Sequence, residues 1–128
     1  MARWARSIFD PKAVRQLKRI IDATGADIVV ESSWKYLGLE AMQELWRVSN
    51  LPGRVIDITP SLTGNASKGE GISAWLSEHA TLDSRYVIID DEYVVLDSQI
   101  PYFIWTNSYE GLTEEQANRA ISILHRWL

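Results

Sequence analysis

The sequence predicts one α/β domain in which a parallel sheet is covered by helices on both faces, a three-layer Rossmann-like arrangement. Short apolar runs rich in β-branched residues alternate with amphipathic helical segments along the whole chain. One run, residues 86–89, is apolar throughout, as a strand buried on both faces requires. With 128 residues and 46% hydrophobic content, the chain can bury a single core without further covalent support.

Capping residues set the ends of the predicted helices. Asp10 before Pro11 is a typical N-cap followed by proline at the first helical position, and Gly25 is a typical helix end, so this helix spans residues 11–24. A second helix is predicted over residues 39–48. The other two begin with the capping-box patterns Ser67-Lys68-Gly69-Glu70 and Thr113-Glu114-Glu115-Gln116.

Four strands are predicted between these helices, at residues 26–31, 54–58, 86–90 and 101–106. The alternation of helix and strand favours right-handed crossovers between parallel strands. In that topology the carboxyl ends of the strands meet at one edge of the sheet, and polar residues that follow the strands are expected to lie together there.

Composition excludes several classes of function. A formal net charge of −4 and an isoelectric point near 5.1 argue against broad electrostatic capture of nucleic acid. The absence of cysteine excludes disulfides and thiolate chemistry. No apolar run approaches the roughly 18 residues of a membrane span, and the N-terminus lacks the apolar core of a signal peptide, so a cytoplasmic protein is expected. Of the six tryptophans, Trp34, Trp46, Trp75 and Trp105 fall in or beside predicted elements, which favours core or interface packing over base stacking.

Adjacent acids end the third predicted strand. Asp90 and Asp91 follow the apolar run directly, and two neighbouring carboxylates repel each other. A hard cation such as Mg²⁺ relieves this repulsion and is commonly held by one or two protein carboxylates. An ordinary acidic turn is the alternative interpretation, because aspartate is a frequent turn former.

A hydroxyl pair and a lysine are predicted at the same edge. Ser32 and Ser33 follow the first strand, and Lys68 lies in the first turn of a helix. Hydroxyl donors, an ammonium group and free helix amides together favour a phosphate. Each residue also has a simpler interpretation, the serines as caps or turn residues and the lysine as a solvated charge. Their joint placement favours the phosphate site.

Several motifs resemble the haloacid dehalogenase (HAD) superfamily, and specifically the HAD domain of Swiss Army Knife RNA repair proteins. The matching segments are residues 9–11, 24–35, 55–60, 68–72, 86–91 and 111–115. The resemblance implies a HAD-like, Mg²⁺-dependent phosphatase acting on a nucleic-acid end or a small phosphoester. It places Ser32, or less favourably Ser33, at the second-motif hydroxyl, Lys68 at the third-motif lysine, and Asp90 and Asp91 at the fourth-motif magnesium ligands.

One departure from the family pattern changes the functional expectation. HAD enzymes carry an Asp-x-Asp motif at the end of a first, central strand, and no Asp-x-Asp occurs in these 128 residues. Asp10 is not a substitute, because its position before Pro11 makes it a helix cap. We therefore expect a single HAD-like domain over residues 1–128, N-terminally truncated relative to the family, without its nucleophile and with impaired or absent phosphatase activity.

Several explanations and functions stay open at this point. The missing strand is consistent with a gene start placed too late, with a natural non-catalytic relative, or with a homodimer that completes the sheet by sharing segments. A non-catalytic module that binds phosphate or a partner on the same fold is the alternative to an enzyme. A response-regulator-like switch is a third interpretation, for which Glu31 and Asp57 are poor phosphoacceptor candidates.

Overall fold

The computed structural model describes residues 10–31, 35, 37–62, 66–107 and 109–125. The elements in these residues alternate as the sequence predicts, and the α/β fold class is confirmed. In chain order they are α1 (Pro11–Thr24), β1 (Ile28–Val30), α2 (Leu39–Val48), β2 (Val55–Ile58), α3 (Lys68–His79), β3 (Ile88–Asp90), a 3₁₀ helix (Asp97–Tyr102), β4 (Phe103–Trp105) and α4 (Glu114–Leu124).

The helix ends follow the predicted capping chemistry. The Asp10 side chain accepts a hydrogen bond from the Lys12 amide at 2.8 Å. Gly25 ends α1 in the left-handed conformation, with φ of 67°, which glycine adopts without a steric cost. At α4, the Thr113 and Gln116 side chains each accept from the other residue's backbone amide, at 3.2 and 3.0 Å. These bonds fix where α1 and α4 begin and where α1 ends.

The strands form two parallel pairs. β1 pairs with β2, and β3 pairs with β4, with Asp90 opposite Trp105 in the second pair. Among the described residues β1 and β3 do not pair with each other, so the predicted single sheet is divided into two two-stranded sheets.

Each sheet has its own core. The first pair packs under α2, with a buried cluster of Val30, Met42, Trp46 and Val55. The second pair packs under α1 and α4, with a cluster of Ala13, Ile20, Ile104, Leu112, Ala117, Ala120 and Ile123. In the described residues, each strand pair therefore contributes to a separate buried cluster.

The strand predicted over residues 101–106 begins only at Phe103. The preceding residues form the 3₁₀ helix, which contains Pro101. Proline has no amide hydrogen for a strand ladder but is compatible with the turn-like backbone of a short helix.

Of the described tryptophans, Trp46 is buried as predicted, whereas Trp105 is 57% exposed. Trp105 is therefore not a core residue, and packing at an interface stays a prediction for it.

Helix α3 connects the two sheets. Near its C-terminus, the Trp75 indole donates to the Asp57 carboxylate in β2 at 2.7 Å. At its N-terminus, the Gly69 amide donates to the Val94 carbonyl at 3.0 Å, and the Gln99 side chain donates to the Gly69 carbonyl at 2.9 Å. In the described part of the chain no helix is long and apolar enough to cross a membrane.

Candidate functional site

Three consecutive carboxylates lie at the carboxyl end of β3. We call Asp90, Asp91 and Glu92 the acid cluster; one oxygen from each lies within 4.8 Å of the others. The backbone turns at this point because the Asp90 carboxylate accepts from the Glu92 amide at 2.9 Å. This local bond folds the segment back, so that three successive side chains share one small region.

Lys68 is the cation next to the acid cluster. Its Nζ lies 3.2 Å from Asp90 Oδ2 and 3.2 Å from Glu92 Oε1. The side chains of Lys68 and Asp90 are 22% and 12% exposed, so their interaction is only partly screened by water. The structure thus brings Lys68, Asp90 and Asp91 together at one strand edge. Their roles in binding phosphate and metal stay predictions.

The electrostatics of this pair have opposing causes. For Lys68, burial acts to lower the pKa, but the charges and hydrogen bonds of Asp90 and Glu92 outweigh it and raise the pKa. For Asp90, burial raises the pKa, and a hydrogen bond with Asp91 adds to this effect. The Glu92 amide and Lys68 lower it, yet the net direction is upward. The lysine is held cationic beside a carboxylate whose ionised form is destabilised.

The position of Lys68 depends on the glycine after it. A Cβ on Gly69 would lie 2.8 Å from Gln99 Oε1, 2.9 Å from the Leu96 amide nitrogen and 3.0 Å from the Val94 carbonyl oxygen. Gln99 is 2% exposed and also accepts from the Leu96 amide at 2.9 Å. The first turn of α3 is therefore packed directly against the segment that follows the acid cluster.

Ser32 and Ser33 lie outside the described residues, so the structure does not place either hydroxyl. The residues on either side form a compact polar group at the carboxyl ends of β1 and β2. Lys35 Nζ lies 3.0 Å from Glu31 Oε2, 3.1 Å from Thr59 Oγ1 and 3.1 Å from the Pro60 carbonyl oxygen. The Thr59 hydroxyl also donates to Glu31. We call Glu31, Lys35 and Thr59 the saturated cluster.

The saturated cluster and the Glu92 contact were not predicted from the sequence. The spacing of Glu31 and Lys35 is a signal for an ion pair only in a helix, and these residues follow a strand. Thr59 is 24 residues from Lys35 along the chain, so their contact depends on the pairing of β1 with β2. The Glu92 contact could have been predicted, because Glu92 directly follows the two predicted metal ligands in the sequence.

The two acids of the first sheet, Glu31 and Asp57, already accept hydrogen bonds within the protein. The Asp57 carboxylate accepts from the Trp75 indole at 2.7 Å and from the Ile58 amide at 2.9 Å. These two bonds, the indole bond being the larger cause, hold the pKa of Asp57 below its ordinary value. Glu31 is bonded to Lys35 and Thr59. A phosphoacceptor must offer a reachable oxygen, so neither residue favours a response-regulator-like switch.

The acid cluster fits a magnesium ion by the type of its donor atoms. Carboxylate oxygens are the ligands Mg²⁺ prefers, and one or two of them commonly suffice when water and a phosphate complete the coordination. Lys68 competes for two of the three carboxylates. Asp91, the third, also lines a cavity that extends toward Trp105. The residues present therefore fit one ion held through few protein ligands.

A known protein family matches most of this chain. A family model for the HAD domain in Swiss Army Knife RNA repair proteins matches residues 1–117. Searches of curated proteins and of solved structures found no match. The match covers nearly the whole chain, including every residue of both clusters. The chain belongs to the family of HAD domains found in Swiss Army Knife RNA repair proteins.

Proposed function

We propose that this HAD-like domain binds a phosphoester and Mg²⁺ at the acid cluster and Lys68, and that by itself it hydrolyses the ester poorly or not at all. The substrate class is a phosphorylated nucleic-acid end or a small phosphoester. The observation that supports this most directly is the contact of Lys68 Nζ with Asp90 Oδ2 at 3.2 Å, beside two further carboxylates.

The side chains act on phosphate through charge and position. Lys68 carries a positive charge at the start of α3, where the helix amides also favour an anion. The carboxylates of Asp90 and Asp91 would hold Mg²⁺, which when bound shields the negative charge of the phosphate oxygens. A phosphate dianion that enters this edge would compete with Asp90 and Glu92 for the ammonium group.

Turnover requires a group that these residues do not supply. In HAD enzymes an aspartate of the Asp-x-Asp motif attacks phosphorus, and no such motif occurs in the 128 residues. Lys68 can stabilise the transferring phosphoryl group, an effect worth about 3 kcal/mol for one well-placed donor. It cannot replace the attacking carboxylate or the general acid. The site therefore favours binding over catalysis.

The test is hydrolysis of p-nitrophenyl phosphate with MgCl₂. We expect the purified chain to show no turnover above background, and addition of a strand ending in Asp-x-Asp to be necessary for activity. The matched variant is Asp90→Asn, which removes one carboxylate charge and keeps the shape of the side chain. Robust Mg²⁺-dependent turnover by the chain, abolished in Asp90→Asn, would show that a different residue serves as nucleophile.

A non-catalytic assembly module is the second candidate function. It is favoured by the division of the described strands into two sheets, because an open strand edge is a surface for association with another chain. We propose that two copies associate through these edges as a homodimer. Light scattering should then show a mass of twice the monomer, 29.2 kDa from the chain mass of 14.6 kDa. A monodisperse monomer would contradict this candidate and leave the phosphate site untouched.

A further inference from the structure

An open depression lies beside the acid cluster and shares only Asp91 with the phosphate site described above. It has a volume of about 350 Å³, and its lining residues are Asp91, Trp105, Thr106, Asn107, Tyr109 and Gln116. We call it the aromatic pocket. Small-molecule pockets start at about this size and commonly combine aromatic walls with a few polar groups.

Trp105 forms a fixed wall of this pocket. It is the register partner of Asp90 in the β3–β4 ladder, and its indole donates to the Asp91 carbonyl at 3.1 Å. The Tyr93 ring packs against it edge to face, with centroids 5.0 Å apart. Although these contacts hold the ring, 57% of the residue stays exposed. An exposed tryptophan that is already immobilised loses little conformational entropy when a second ring stacks on it.

Tyr109 is the second aromatic residue of the pocket, and it lies on a braced turn. Asn107 Oδ1 accepts from the Tyr109 amide at 2.7 Å, and the Asn107 carbonyl accepts from the Gly111 amide at 2.7 Å. The Tyr109 side chain is 93% exposed and contributes little to the core. The fold thus presents an aromatic ring to solvent beside a second exposed ring, both next to the acid cluster.

We propose that the aromatic pocket binds the nucleoside part of the phosphoester, with the base stacked on Trp105 and Tyr109. This inference rests on the proposed function and names its substrate class. Neighbouring strands are about 4.8 Å apart, so Trp105 lies about one strand spacing from Asp90. The pocket and the acid cluster are therefore adjacent, as the base and the phosphate of one nucleotide require. An aliphatic phosphoester would leave both rings uncovered.

The test compares the affinities of adenosine 5′-monophosphate and ribose 5-phosphate in the presence of Mg²⁺, by titration calorimetry. The two probes share the phosphate and the sugar and differ in the base. We expect the nucleotide to bind about tenfold more tightly, as stacking of one base can supply. Tyr109→Ala and Trp105→Ala should each remove most of this difference, and Tyr109→Ala should leave ribose 5-phosphate binding unchanged.

Tyr109→Ala is the decisive variant, because the exposure of this side chain means that its loss does not disturb packing. Leu82→Ala is the matched control, since Leu82 is equally exposed and lies outside the pocket. Equal affinities for the two probes, or nucleotide binding that is unchanged in both aromatic variants, would overturn the proposal.

A further variant separates this inference from the proposed function. Lys68→Met should weaken binding of both phosphates but not of adenosine, because Lys68 is assigned to the phosphate and does not line the aromatic pocket. Adenosine binding that depends on Tyr109, with no contribution from phosphate, would support the pocket and reject the phosphate site. Ribose 5-phosphate binding that depends on Lys68, without any preference for the base, would do the reverse.

Tighter binding of a 5′-phosphorylated RNA hexamer than of the mononucleotide would identify a nucleic-acid end as the source of the nucleoside, and equal binding would identify a free nucleotide.

Discussion

The carboxyl ends of the two strand pairs carry similar residues with different charge balance. In the saturated cluster, the carboxylate of Glu31 is bonded to both Lys35 and Thr59, and Lys35 also bonds the Pro60 carbonyl. In the acid cluster, three carboxylates lie beside one ammonium group, that of Lys68. Both clusters lie at the carboxyl end of a parallel strand pair.

The difference suggests separate roles for the two clusters: the saturated cluster stabilises the fold, and the acid cluster is available for binding. A carboxylate whose hydrogen bonds and charge are satisfied within the protein has little to offer a ligand, whereas an excess of carboxylates favours a cation from solution. Removing a residue from the saturated cluster should therefore affect folding. Removing one from the acid cluster should affect binding more than folding.

The largest expected effect is loss of stability on substitution of Lys35. Lys35→Met leaves the Glu31 carboxylate, whose side chain is 12% exposed, without its cation. We expect a loss of about 3 kcal/mol in the free energy of unfolding, as for a nearly buried pair deprived of one partner. The matched change Lys68→Met should cost about 1 kcal/mol. Asp90 is as buried as Glu31, with 12% of its side chain exposed, but its raised pKa lets it take up a proton when the cation is lost, and Glu92 is 47% exposed and solvated by water. Equal losses in urea unfolding would contradict the division of roles.

A pair of glycines gives the next largest contrast. Gly69→Ala would place a Cβ within 3.0 Å of two backbone atoms, the Leu96 nitrogen and the Val94 oxygen, which cannot move independently of the fold. We expect a loss of about 2 kcal/mol, as in overpacked sites. Gly71→Ala meets the Glu31 carboxylate at 3.0 Å, and alanine gains about 1 kcal/mol in helix propensity. Thermal unfolding should therefore show less than half the loss for Gly71→Ala.

The sequence was sufficient to predict the helices and the edge where the acids lie. The caps at Asp10 and Thr113 are local signals. The placement of Lys68 beside Asp90 was expected at the edge of a single sheet, and it is found although Lys68 follows a strand of one pair and Asp90 ends a strand of the other. Sequence alone does not decide whether β1 and β3 pair, because strand pairing depends on contacts distant along the chain; among the described residues they do not pair. The exposure of Trp105 was equally hidden, since an aromatic residue in a strand is compatible with either a buried or an exposed face.

The pH dependence of stability should differ in sign between Asp57 and Asp90. The pKa of Asp57 is lowered by the Trp75 indole and the Ile58 amide, so its contribution is present above about pH 4 and lost as the pH falls through the folded-state value. The pKa of Asp90 is raised by burial and Asp91, so its contribution is full below about pH 4 and lost as the pH rises through the folded-state value.

Two variants test these opposite signs. Asp57→Asn should flatten the loss of stability on acidification below about pH 4, and Asp90→Asn should flatten the loss as the pH rises above about pH 4. Urea unfolding across this range measures both slopes. The same change in slope for the two variants would mean that the strand-end acids share one environment.

The most direct measurement of the division between the two clusters is an NMR titration of the ¹⁵N-labelled chain with MgCl₂ and inorganic phosphate. We expect the amide resonances of Lys68 and the acid cluster to shift together with a dissociation constant in about the millimolar range, because few protein oxygens offset the dehydration of the ion. The amides of Glu31, Lys35 and Thr59 should not shift. Tight binding, or shifts centred on the saturated cluster while the acid cluster stays unchanged, would contradict the account.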